Sequence, residues 1–161
     1  MNDDETIPGA EVRALPAILL AGFTCGVLDI SAAFLTFAVQ GVKPVQILQY
    51  IASGLLGNRS FGGGWMTAML GLGIHFLIAL SAANVFYLLS EEFKFIRTRP
   101  VLSGVLYGVG VYGFMYWVVK PLSAAPPTPF SITAATIAIL THIVCVGLPI
   151  SLILHRYAPE M

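Results

Sequence analysis

Apolar residues fill four long stretches of this chain, and polar ones collect in the short segments between them. The first stretch, 14–39, has Pro16 near its first turn, where a missing amide proton leaves no bond unmade, and it ends at Gln40, Gly41, Val42, Lys43 and Pro44. Three more stretches, 65–89, 100–120 and 130–154, are each long enough to cross a hydrocarbon core of roughly 30 Å as an α-helix. The segment 44–57, PVQILQYIASGLLG, is too short to cross and sets Gln46, Gln49 and Ser53 on one helical face, which predicts a helix lying along the interface. NRSFGGG follows, and its consecutive Gly62, Gly63 and Gly64 predict a turn rather than regular helix. Glu91, Glu92, Lys94, Arg97 and Arg99 form a short charged loop, and PLSAAPPTP, 121–129, with four prolines, predicts a stiff extended connector. Pro149 predicts a kink in the last span.

The fold class is therefore all-α: an integral membrane bundle of four transmembrane helices with one short interfacial helix. A tail of residues 1–13 precedes a single domain over 14–154, and residues 155–161 form a second tail. Composition agrees, because 57% of residues are hydrophobic and 10% charged, where a soluble domain carries about 25% charged residues. Lipid is the expected partner. Eight Lys and Arg balance eight Asp and Glu with no block of one sign, which excludes nucleic acid. Cys25 and Cys145 lie in apolar stretches without CxxC spacing, so no disulfide framework organises the chain. The acidic opening MNDDETIPGAEVRA and the length of the run after it point to a permanent helix rather than a signal peptide.

Arg13, Lys94, Arg97, Arg99 and Arg156 fall on one side and Lys43, Arg59 and Lys120 on the other, which predicts cytoplasmic termini. Asn58, Arg59 and Ser60 then form a sequon outside the cytosol, which a bacterial host ignores. Tyr50, Trp65, Tyr87, Tyr116 and Trp117 sit near span ends, as interfacial anchors do, and His155 and Arg156 mark the cytoplasmic interface. No phosphate loop matches GxxxxGK[ST] and no nucleophile matches GxSxG, so an enzyme is not expected.

Candidate chemistry concentrates at mid-span. Asp29, His75, Tyr112 and His142 each stand near the midpoint of a different stretch, so they are expected to meet at one depth. A charged Asp at the bilayer centre costs roughly 2.5 to 3.5 kcal/mol, so it should face the bundle interior and find a partner or stay protonated. Stripes of small residues support inward placement: Gly22, Gly26, Asp29, Ala33; Gly71, His75, Ala79, Ala82; Gly104, Gly108, Tyr112, Tyr116; and Ala135, Ala138, His142, Cys145, Pro149. An Asp beside histidines, shielded from bulk water, can exchange a proton near neutral pH, which suggests a proton relay or proton-linked carrier. The competing reading is packing: interhelical polar bonds fix register and contribute about 0.6 kcal/mol each. Two minor readings are a haem b held axially by His75 and His142, and a metal ion held by Asp29, His75 and His142. Asn84, a lone amide, either lines a cavity or bonds a neighbouring helix. Four spans leave one chain little room for a solute path, so a homo-oligomer is expected, with Gly104 and Gly108 a possible contact.

The stretches GVLDISAAF, IASGLLG, HFLIALSAANVFY, VVKPLS and HIVCVGLPI resemble small four-span bacterial inner-membrane proteins of unknown function. The resemblance covers most of the chain, implies a bacterial cytoplasmic membrane, and sets Asp29, His75, Pro121 and His142 on the family-like pattern. It brings no activity with it.

Overall fold

A computed structural model describes residues 8–157, with side chains from residue 14 onward. The rest of both tails lies outside the described residues, and among these there is no strand. Helix α1 runs Pro8–Ala38, α2 Pro44–Leu56 and α3 Gly64–Glu92; a single short helix α4, Lys94–Thr98, occupies the charged loop. Helices α5, Pro100–Leu122, and α6, Ile132–Tyr157, follow. Four of these helices are long and apolar enough to cross a membrane, and their outward faces leave Leu15, Phe23, Leu77, Leu106 and Leu140 exposed. This is the all-α architecture of a multi-pass membrane protein. Helix α1 begins six residues before the apolar stretch, so Pro16 stands inside it and not in the first turn.

Both α5 and α6 contain a π-helical turn, Met115–Val119 and His142–Gly147, and each turn is followed two residues later by a proline, Pro121 or Pro149. Proline has no amide proton and its ring crowds the carbonyl four residues back, so the turn before it widens. The distortion expected at Pro149 thus takes the form of a π-turn, and α5 repeats it.

The helices close on one another through small residues. A Cβ added at Gly22 would lie 2.9 Å from the Leu80 backbone, and one at Gly26 2.8 Å from the Phe76 ring. Gly104 and Gly108 meet the backbone around Gly147 and His142 in the same way, so this GxxxG pair is occupied inside the chain. Away from α2 the core is dense: Ala17, Ala21 and Cys25 of α1, Ala83 and Phe86 of α3, and Ile150 and Leu154 of α6 are buried together. Tyr107 joins α5 to α3 there, its hydroxyl donating to the Ala82 carbonyl at 2.7 Å and its ring packing edge-on against Phe86.

Helix α2 is capped by Lys43, whose N–H donates to Gln46 Oε1 at 2.8 Å, and stops at Gly57, where φ of +58° suits glycine. Its polar face does not all point outward as the spacing predicted. Gln46 is exposed, but Gln49 and Ser53 are buried, because Gln49 Nε2 donates to the Gly64 carbonyl at 3.0 Å and Ser53 Oγ to that of Tyr50. The glycine-rich turn leaves a carbonyl that needs a donor, which Gln49 supplies, while Ser53 bonds back to its own helix. Leu48 packs with Ile30 of α1 and Ala68 of α3, and its carbonyl lies where a Cβ of Gly71 would be. The proline-rich connector lies against the other end of α2, with Ala124 N–H donating to the Gly54 carbonyl at 2.9 Å.

Candidate functional site: a polar layer facing a cavity

Four long helices each contribute one polar side chain at nearly one level. Asp29 stands nine residues before Ala38, His75 eleven after Gly64, Tyr112 ten before Leu122 and His142 ten after Ile132. At 1.5 Å per residue that is about 15 Å from the helix ends on the α2 side, half of a roughly 30 Å hydrocarbon core.

All four line one cavity of about 830 Å³, with α2 contributing Ile47, Tyr50 and Ile51 to its wall. Tyr112 and His142 are in ring contact, centroids 5.8 Å apart and nearly perpendicular, and Tyr112 also stacks on Tyr116 at 5.9 Å. The two π-turns frame this part of the wall, with Met115, Tyr116 and His142 all in it. Such turns rotate the side chains that follow them relative to a regular helix, and they recur at functional sites.

The hydrogen bonds of the layer are uneven. His75 Nε2 lies 2.8 Å from the Gly26 carbonyl on α1, and His142 Nδ1 lies 2.8 Å from the Ala138 carbonyl one turn back. A carbonyl only accepts, so each of these nitrogens carries the proton, and the other ring nitrogen is an acceptor when the ring is neutral. Protonating either ring leaves both carbonyl bonds in place. By contrast, among the described residues neither the Asp29 carboxylate nor the Tyr112 hydroxyl has a hydrogen-bond partner. The sequence-derived residues are therefore brought to one space, but Asp29 does not pair with either histidine.

No group of three His, Cys, Asp or Glu side chains among the described residues is close enough to hold a metal ion. The nitrogen left for any metal on His75 is Nδ1, since Nε2 serves Gly26. Asn84 is exposed and outside the cavity. Sequence reasoning took Tyr50 and Tyr116 as interfacial anchors and Lys120 only as a charge for orientation, whereas all three line the cavity. For Tyr116 the signal was available, four residues after Tyr112 on one stripe. For Tyr50 it was not, because nothing in the sequence says that α2 folds across the bundle. Lys120 is engaged at the wall, its ammonium donating to Thr128 Oγ1 and lying 5.1 Å above the Tyr116 ring.

Comparison with family models, with curated proteins and with solved structures finds no match for this chain.

Proposed function

We propose that this protein is a small proton-linked carrier of the bacterial cytoplasmic membrane, with both termini cytoplasmic, in which Asp29, His75 and His142 exchange protons and Tyr112 packs its ring against His142 beside them. The observation that carries the reading is the direction in which the polar groups face. Side chains kept only for packing are expected to bond across helices, yet the acidic one makes no such bond among the described residues and borders a cavity of about 830 Å³. The two imidazoles are each oriented by one backbone carbonyl, which leaves the second nitrogen to take up and release a proton. The excess of Lys and Arg in the tails and the α3–α5 loop supports the orientation. A homodimer would enlarge the space available to a transported species.

The test is proton movement in liposomes that contain the purified protein and a trapped pH-sensitive dye, with a pH gradient imposed. Protein-dependent flux that Asp29→Asn abolishes is the expected result; flux indifferent to that substitution removes the relay. One observation favours a second reading, an accessory subunit whose polar layer fixes packing: His75 bonds α3 to α1 through the Gly26 carbonyl. That reading expects Asp29→Asn and His75→Asn to weaken folding or assembly with no transport to lose.

A further inference from the structure

The geometry points to an amphipathic protonated amine as the occupant of this cavity. The inference deepens the carrier reading by naming its substrate class, and it rests on that reading only for the role of Asp29. The groups offered to a ligand at mid-depth are a carboxyl without a hydrogen-bond partner among the described residues and two imidazoles whose bound nitrogens are already donors, which leaves an acceptor on each neutral ring. Against these three acceptors the layer sets one unpartnered donor among the described residues, the Tyr112 hydroxyl, and that excess of acceptors is complementary to a ligand that donates several hydrogen bonds and carries positive charge. An alkylammonium does both.

The walls fit the rest of such a molecule. Tyr112 lies beside the polar layer and Tyr50 on the α2 side, and the face of an aromatic ring attracts a cation, as the Lys120 ammonium over Tyr116 illustrates. Ile30, Ile51 and Ile78 give the remainder an apolar lining for a hydrocarbon body. The titratable or charged groups facing the space are Cys25 and Asp29 from α1, Tyr50 from α2, His75 from α3, Tyr112, Tyr116 and Lys120 from α5, and His142 from α6. Lys120 is the only Lys or Arg among the described lining residues, and it stands eight residues beyond Tyr112, about 12 Å along the helix, with its ammonium on Thr128 and over Tyr116. It is held at the wall's far end and does not neutralise Asp29.

When the amine binds, its ammonium donates to the Asp29 carboxylate and to the acceptor nitrogens of the neutral imidazoles.

Isothermal titration of the detergent-purified full-length protein with 6-phenylhexylamine, with 6-phenylhexanoate as the anionic counterpart, tests the assignment. The amine should bind at pH 7, Asp29→Asn should lower its affinity by about tenfold or more while the helical circular dichroism is kept, and Asp29→Glu should recover part of it. The carboxylate should not bind. Equal binding of both compounds, or amine binding that Asp29→Asn leaves intact, overturns the assignment. A free amine and an ammonium lipid headgroup share this chemistry, and nanodiscs separate them: competition by phosphatidylethanolamine but not phosphatidylcholine assigns the headgroup, and no competition assigns the free amine. Asp29-dependent amine binding without flux in liposomes would remove the carrier reading alone; Asp29-dependent proton flux without amine binding would remove the substrate class alone.

Discussion

The two halves of this bundle are built from the same kinds of residue and differ in what they enclose. Away from α2, Ala17, Ala21, Ala83, Ile150 and Leu154 are nearly or wholly buried, and a tyrosine closes α5 on α3. On the α2 side the same four helices leave about 830 Å³ between them, lined by the mid-span polar residues. Small residues alone do not explain the difference, since both halves have them. In the dense half Gly22 meets Leu80 and Gly147 the backbone of Gly104, whereas Ala33, Gly54 and Ala138 in the other half border the cavity. What distinguishes the second half is the π-turn ahead of Pro121, and the short helix crossing at Gly71 in place of a further long one. Lipid supplies no hydrophobic drive between helices, so close contact in the dense half carries the stability, and the open half is free to hold polar groups.

The largest effect should come where that close contact is tightest. Gly147 has no room for a Cβ, which would overlap the Gly104 carbonyl and lie 2.6 Å from the Gly108 amide nitrogen. Gly147→Val should cost about 3 kcal/mol or more, read as loss of folded protein in denaturant titration of the detergent-solubilised chain. In the dense half Leu154 is fully buried, so Leu154→Ala should cost about 2 kcal/mol in the same titration. If it costs nothing, the two halves are not packed differently.

Substitutions in the polar layer should be far milder for folding. His75→Asn removes the bond to the Gly26 carbonyl and should cost about 0.6 kcal/mol, the average for interhelical bonds in membranes. Asp29→Asn removes no protein hydrogen bond among the described residues, and its effect on folding should stay within about 0.5 kcal/mol. A loss of 2 kcal/mol or more at Asp29 would return the polar layer to the role of packing.

The number and class of the helices were legible because the hydropathy pattern is set by lipid, which allows little else than helices of about this length. The mid-span layer was legible for the same reason: a polar residue equidistant from two span ends has one depth. Three features were hidden. Helix α2 reads as an interfacial segment, yet Gln49 and Ser53 turn inward, since the donors they supply answer to carbonyls that only the folded glycine turn and helix create. The π-turns carry no pattern of their own beyond the proline that follows. Finally, spacing placed Asp29 on an inward face, but only the coordinates separate facing a partner from facing a cavity.

Asp29 is the one acidic side chain in the interior of the four spans, which makes its carboxyl vibration separable from all others. Infrared difference spectra of the protein in lipid, recorded across a pH titration in water and in heavy water, test the central claim. A protonated-carboxyl band that titrates, shifts promptly in heavy water and vanishes in Asp29→Asn is the predicted result. A carboxyl that neither titrates nor exchanges until the protein unfolds would contradict an accessible, proton-exchanging layer.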